Sequence, residues 1–161
     1  MASKYQVIIG RFEEIDIVNT ALKVPAKIDT GAFRSSIHAS DIKIVKKKGQ
    51  EVLTCKLLGH PCSPVKRDFE SARFSRVNVT NSFGKDEERY EVPIKIKLGP
   101  KIFYTSFTLA DRSNNLFPVL VGRKLLKGKY LVDAGKTSID RTRLKKTFGI
   151  KSTVDEEDLE D

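Results

Sequence analysis

Hydrophobic and polar residues alternate along several short segments of the chain. In the clearest segment, which ends just before Asp29, every second residue is apolar: Leu22, Val24, Ala26 and Ile28. A period of two is typical of a half-buried strand. Thr30 and Gly31 follow the acid, and a hydroxyl side chain and a glycine both favour a tight turn. The pattern predicts a strand that delivers a carboxylate to the edge of an apolar core, where its ionisation can be perturbed.

Similar runs, separated by Gly, Pro, Asn and Asp, predict an all-β fold. The further predicted strands are residues 5–9, 35–39, 42–45, 51–58, 76–80, 88–98, 102–109, 117–121 and 130–132. Residues 59–72 hold two prolines and several charges, and we predict an exposed loop there. A short helix is expected after Gly122, and the pattern becomes helical and basic from Arg141.

The length of 161 residues predicts one domain, residues 1–150, followed by an acidic tail, residues 151–161, that we predict to be disordered. The last seven residues hold six acids and no base, so the rest of the chain carries +15 against +9 for the whole. Such a basic body attracts polyanions such as nucleic acid or acidic peptide, although a merely soluble basic protein has the same composition.

The two cysteines suggest a reduced environment. No secretory signal or membrane-spanning stretch is visible, so the sequence predicts a cytoplasmic protein with free thiols and no membrane partner. Cys55, His60 and Cys62 are close enough in sequence to be three zinc ligands. No fourth ligand has a motif-like spacing, and Cys55 lies in a strand-like apolar run, so we expect no metal.

Two separated motifs carry a family resemblance: Asp29-Thr30-Gly31-Ala32, and an apolar strand with Gly122-Arg123 and two leucines about ninety residues later. The pair resembles the retropepsin-like aspartic peptidases. Further segments resemble a bacterial and archaeal group of that family, often labelled "ATP-dependent zinc protease" and associated with ATP-grasp glutamate ligases. These segments are residues 35–39, 109–113 and 130–135. The resemblance covers roughly residues 5–140. Phe33-Arg34 departs from the basic and small hydroxyl residues expected after the first motif.

The resemblance implies a single-lobe retropepsin-like closed β-barrel with one short helix after the Gly-Arg motif. It implies catalysis by Asp29 with Thr30 and Gly31, and support of that loop by Val121, Gly122 and Arg123. A β-hairpin flap covers the peptide in this family, and the strands at 76–80 and 88–98 lie in the corresponding interval. We therefore expect substrate contacts from the hairpin tip and from two residues beside the acid: Asn81, Ser82, Phe83, Gly84, Ala32 and Arg34. A plain surface hairpin is the alternative.

An aspartic peptidase is a hydrolase that needs two carboxylates sharing a proton, and it requires no metal, cofactor or covalent intermediate. The chain supplies one Asp-Thr-Gly, so we expect a homodimer that brings Asp29 to Asp29. We expect peptide or protein substrates, and both the basic body and the association with glutamate ligases favour acidic or glutamate-rich sequences. Asp133, near Gly135, is an intrachain candidate, but too few residues follow it for a second lobe. The alternatives are a non-catalytic peptide-binding module of the same fold and a basic nucleic-acid-binding β-domain. The nucleic-acid reading lacks an aromatic-basic strand motif.

Overall fold

The computed structural model describes residues 6–80 and 83–149, which form eleven strands and two short helices. The strands are β1 (Val7–Ile9), β2 (Phe12–Ile17), β3 (Ala21–Ile28), β4 (Ser35–Lys47), β5 (Gln50–His60), β6 (Ser63–Ser71), β7 (Ser75–Thr80), β8 (Asp86–Leu98), β9 (Lys101–Ala110), β10 (Val119–Val121) and β11 (Tyr130–Val132). The helices are α1 (Arg123–Leu126) and α2 (Arg141–Phe148). The predicted acidic tail and the hairpin residues Asn81 and Ser82 lie outside the described residues.

Six of the strands close into a barrel. Their order is β10-β3-β2-β8-β9-β4, and β10 pairs again with β4 to complete the circuit. The short strand β10 runs parallel to β3 and antiparallel to β4. This confirms the predicted all-β, retropepsin-like closed barrel with a short helix after the Gly-Arg motif. The second helix, α2, begins at Arg141, where the sequence pattern becomes helical.

The barrel is filled by the inward-facing residues of its strands. On β8, Val92, Ile94, Ile96 and Leu98 are buried at alternate positions, as expected for a strand with one face on a core. On β3 the alternation fails at Leu22, which is 76% exposed. Lys23 has a left-handed backbone angle (φ 53°), and the pairing of β2 with β3 shifts register beside it. This irregularity turns Leu22 away from the core face.

The predicted loop at residues 59–72 is wrong, because most of it is strand β6. This strand pairs antiparallel with β5 along its length and forms the outer edge of the sheet. Since most of its residues are exposed, β6 has no run of buried positions to give an alternating pattern. Backbone pairing, rather than burial, therefore defines this strand.

Two smaller units pack against the barrel. β1 and β11 form a two-stranded parallel sheet, and the Tyr130 hydroxyl donates to the Leu98 carbonyl (2.7 Å). The Asp140 carboxylate caps the first turn of α2, and the helix buries Leu144 in a second cluster with Phe12 and Phe117. No helix within the described ranges has the length and hydrophobicity needed to cross a membrane.

Candidate active site

The strand β3 ends at Ile28 and places Asp29 at the start of a tight turn. The Asp29 amide donates to the Val121 carbonyl (2.8 Å), which ties the residue to β10. The Asp29 Oδ1 atom accepts from the Gly31 amide (2.9 Å), and the Asp29 carbonyl accepts from the Ala32 amide (3.2 Å). Asp29 is half-buried, whereas Thr30 and Gly31 are exposed. The carboxylate is therefore oriented by the backbone and still open to a ligand.

β10 and α1 hold this turn from behind. The Gly122 amide donates to Ser35 Oγ (3.0 Å), and the next two amides donate to carbonyls of the Asp29 loop. These two bonds run from Arg123 to Ala32 (2.8 Å) and from Lys124 to Phe33 (3.0 Å). A β-carbon at Gly122 would lie 2.6 Å from the Arg34 carbonyl oxygen, so only glycine fits this approach. The Gly122-Arg123 motif thus contacts the Asp29-Thr30-Gly31-Ala32 motif, as the resemblance implies.

Two arginines frame the exposed Phe33 ring. The Arg123 guanidinium donates from Nη1 to the Thr30 carbonyl (3.0 Å) and lies 6.0 Å from the ring centroid. The Arg34 guanidinium lies 5.6 Å from the same centroid and forms an ion pair with Glu91 on β8 (2.8 Å). Arg34, predicted to contact substrate, therefore already has a carboxylate partner within the chain.

Arg112 is a buried cation beneath the site. Its Nε donates to the Phe117 carbonyl (2.9 Å) and its Nη1 to Ser36 Oγ (3.2 Å). The pKa of Arg112 is lowered to about 10, mainly by burial and also by the positive charge of Arg89, while the negative charge of Asp29 raises it. Asp29 and Arg89 thus both lie within electrostatic range of Arg112. The guanidinium stays protonated at neutral pH.

Two histidines line the far side of Arg112. His38 Nδ1 accepts from the Arg112 amide (2.9 Å). His60 Nε2 lies 3.0 Å from the Arg112 carbonyl and 2.7 Å from the Asn115 carbonyl, and its Nδ1 accepts from the Cys62 amide (3.0 Å). Because carbonyls only accept, His60 carries its proton on Nε2. Burial lowers the pKa of both imidazoles, so both are neutral above their ordinary titration range.

Cys55, His60 and Cys62, the three residues considered as zinc ligands, do not converge. Both ring nitrogens of His60 are committed to backbone groups, and Cys55 packs in the barrel core. Across residues 6–80 and 83–149, no group of three His, Cys, Asp or Glu side chains is arranged to hold a metal ion. Burial raises the pKa of the Cys55 and Cys62 thiols to about 11. Neither thiol is therefore activated as a nucleophile.

The alternative acid Asp133 forms the same kind of turn as Asp29. Its Oδ1 atom accepts from the Gly135 amide (2.9 Å), and its own amide donates to the Ile9 carbonyl (2.8 Å). β1 lies behind this turn as β10 lies behind the Asp29 turn: β1 runs parallel to β11, and the Arg11 amide donates to the Lys136 carbonyl (2.8 Å). The Asp133 turn therefore repeats the backbone arrangement of the Asp29 turn, but Asp133 is exposed whereas Asp29 is half-buried, and its role as a turn residue after the last strand stays a prediction.

The hairpin predicted as a flap is present as β7 and β8, which pair from Ser75 to Thr80. Near its tip Phe83 is 88% exposed, and Gly84 has a positive φ of 76° that suits a tight turn. Two cavities of about 530 and 700 Å³ lie along the β2–β3 hairpin and share Lys23 and Cys62. Asp29 lines neither of them, so its carboxylate is not at the floor of these cavities.

Sequence reasoning missed the charged residues that other strands bring to this site. Glu91, which pairs with Arg34, and Arg89 both lie on β8. Arg112 lies in the segment 109–113 that carries the family resemblance, and no role is predicted for it there. The alternation of β8 identifies Glu91 and Arg89 as facing away from the core, and that is the one available signal. It does not reveal that Arg34 lies opposite.

Comparison with known proteins agrees with this geometry. Residues 8–143 match the family model described as "RimB-like: Retropepsin-like aspartic endopeptidase RimB". The chain belongs to this family. A crystal structure of a Legionella pneumophila protein of unknown function superposes with a TM-score of 0.67 at 30% identity, covering 81% of this chain and 95% of that one.

The curated relatives are larger proteins, and their name differs from the description of the matching family. A probable alpha-L-glutamate ligase of Shewanella pealeana is 33% identical over 123 residues, which is 73% of this chain and 26% of the ligase. The protein of the same name from Shewanella halifaxensis is 31% identical over 142 residues, 82% of this chain and 31% of the ligase. The chain thus spans about a quarter to a third of the length of these relatives.

Proposed function

We propose that the protein is an aspartic endopeptidase in which the Asp29 carboxylates of two copies activate one water molecule. The observation that carries the proposal is the Asp29 turn itself. Its carboxylate is held by the Gly31 amide, its backbone is held by Val121, and the side chain remains partly open. The Asp133 turn has equivalent backbone support, but its acid is exposed, whereas Asp29 is half-buried at the edge of the barrel core.

The second carboxylate comes from a second copy of the chain. Two carboxylates at hydrogen-bonding distance cannot both ionise, so one is the base that deprotonates water and the other is the acid that protonates the carbonyl oxygen. A two-fold axis near Asp29 supplies both from one sequence. The position of Asp29 outside the two cavities along the β2–β3 hairpin fits a cleft that is completed by a partner.

The substrate that fits best is an acidic, glutamate-rich peptide. Cationic side chains surround the Asp29 loop, including Arg34, Arg112, Arg123 and Lys124, while Glu91 is the acid paired with two of them. Their combined potential attracts anionic peptides and raises their association rate. The name of the relatives, probable alpha-L-glutamate ligase, points to glutamate chemistry in proteins that share this domain.

Cleavage assays with a matched variant test the proposal. Wild type and Asp29→Asn are incubated with a peptide library that includes glutamate-rich sequences, from acidic to neutral pH, with and without a chelator. We expect cleavage by wild type, loss of cleavage in Asp29→Asn, and no effect of the chelator. Binding of these peptides without cleavage, at a concentration where sedimentation shows a dimer, contradicts the proposal and favours a peptide-binding module. Steeply salt-dependent binding of random DNA or RNA in place of peptide favours the nucleic-acid alternative.

A further inference from the structure

We propose that Arg89 is the specificity-determining residue of this site and binds a side-chain carboxylate of the substrate next to Asp29. The inference rests on the proposed peptidase function and deepens it. It assigns the preference for acid to one side chain on β8, the strand that leads from the flap hairpin into the barrel.

Arg89 faces the site because of its position on β8. It lies two residues from Glu91, and residues two apart on a strand point to the same face. On that face the Glu91 carboxylate contacts Arg34 of the Asp29 loop (2.8 Å) and Lys124 of α1 (3.8 Å). Arg89 is therefore one step further toward the hairpin tip on the face that meets the Asp29 loop.

The bonding of Arg89 is incomplete. Its side chain is only 17% exposed, and its Nε atom is buried without a hydrogen-bond partner among the described residues. Its acidic neighbour is Glu87, which contacts Nη2 at 3.4 Å and is itself 45% exposed. An unsatisfied buried donor on a cation costs stability, so such a group calls for an explanation.

A second cation makes the arrangement less favourable still. Arg112 lies within electrostatic range of Arg89, and Glu91, the next acid along this face of β8, is already shared by Arg34 and Lys124. Two guanidinium groups that are shielded from water repel each other, and Glu87, the acid that contacts Arg89, is itself partly exposed. A carboxylate from a ligand relieves both defects, because the arginine fork can donate two parallel hydrogen bonds to it.

The test compares two peptides and two variants. The peptides are a glutamate-rich substrate and the same sequence with glutamine in place of glutamate. The variants are Arg89→Gln and the control Arg76→Gln, which removes the same charge from the opposite face of the same hairpin. Arg76 is 63% exposed and lies 3.9 Å from Glu88. Arg89→Lys is added because it keeps the charge and loses the fork.

We expect Arg89→Gln to lower kcat/KM on the glutamate peptide about 10- to 100-fold, the range of a charge-assisted hydrogen bond. On the glutamine peptide the change is at most about twofold, because no carboxylate is lost there. Arg89→Lys falls between wild type and Arg89→Gln, and Arg76→Gln matches wild type. The melting temperature of Arg89→Gln is expected to equal or exceed that of wild type, since the variant removes a repulsive and unsatisfied group. A merely structural role predicts a lower melting temperature.

An unchanged ratio of glutamate to glutamine cleavage in Arg89→Gln overturns the assignment of Arg89 and leaves the peptidase proposal standing. Failure of wild type to cleave either peptide overturns the peptidase proposal. In that case fluorescence anisotropy with the two labelled peptides still tests Arg89. Weaker binding of the glutamate peptide alone in Arg89→Gln supports the assignment, and equal binding by wild type and Arg89→Gln refutes it.

Discussion

Replacing Gly122 with alanine tests how strongly the fold depends on the contact between the Gly122-Arg123 segment and the Asp29 loop. A β-carbon there would lie 2.6 and 2.7 Å from the carbonyl oxygen and carbon of Arg34, and 2.8 Å from the carbonyl oxygen of Phe33. These neighbours are backbone atoms of the Asp29 loop, so they cannot rotate away. The backbone of Gly122 has φ −94°, which any residue adopts, so the cost of alanine is steric rather than conformational.

The magnitude follows from the packing and the hydrogen bonds at risk. Overpacking of this kind costs about 1–3 kcal/mol. Three backbone donors, those of Gly122, Arg123 and Lys124, bond to the segment that must move, and weakening each costs up to about 1 kcal/mol. Alanine also stiffens the unfolded chain and recovers about 0.5 kcal/mol. We expect a net loss of about 3 kcal/mol, or roughly 6–12 °C in Tm for a chain of this size.

Guanidinium and thermal unfolding of Gly122→Ala measure the loss, and Gly135→Ala is the control. A β-carbon at Gly135 would have its nearest contact at 3.4 Å, to Asp133 Oδ1, so that variant should unfold like wild type. Below its melting transition, Gly122→Ala should also have lost most peptide cleavage, because a displacement approaching 1 Å at a catalytic group costs about 100-fold in rate. An unfolding free energy within about 0.5 kcal/mol of wild type would refute the reasoning.

Two further predictions concern buried titratable groups. Burial lowers the pKa of His38 and His60 below the ordinary 6.5, so the unfolded chain binds more protons there, and the free energy of unfolding should be full above pH 6.5 and fall as the pH is lowered below it. In His60→Gln the Tm should decline less steeply with falling pH. A wild-type Tm that stays constant from pH 7.5 to 5.5 contradicts this prediction. Burial raises the pKa of the Cys55 and Cys62 thiols from 9.0 to about 11, so alkylation by iodoacetamide at pH 8 should be about 100-fold slower in the native protein than in the denatured protein. Equal rates in the two states would show that the thiols are accessible and have an unshifted pKa.

The parts of the fold that were predictable are those with a strong local signal. The alternation up to Ile28, the Asp29-Thr30-Gly31 turn and the glycine at 122 each leave a mark in a few consecutive residues. The structure joins them across about ninety positions by the bond from the Asp29 amide to the Val121 carbonyl. That contact followed from the family resemblance and not from the residues themselves.

The missed features depend on which strands are neighbours. The sequence predicts a loop where β6 lies, because an exposed edge strand has no buried face and so no alternating pattern of apolar residues. Leu22 was expected inside and is exposed, because the left-handed backbone at Lys23 interrupts the alternation. Arg89 and Glu91 lie on a strand about sixty residues away from the Asp29 loop in sequence, and no local sequence pattern predicts that this strand and the loop are neighbours. The placement of Arg89 and Glu91 at the candidate site could therefore be found only from the structure.

A subunit-mixing experiment tests the central proposal, that each site needs Asp29 from two copies. Wild type is mixed with Asp29→Asn in increasing proportion under conditions that allow the copies to exchange, and cleavage of a glutamate-rich peptide is followed. If both carboxylates belong to one site, a mixed dimer is inactive and activity follows the square of the wild-type fraction, so an equal mixture keeps about half the activity of its wild-type copies. If activity per wild-type copy is unchanged at every proportion, one Asp29 suffices and the shared-site mechanism is wrong.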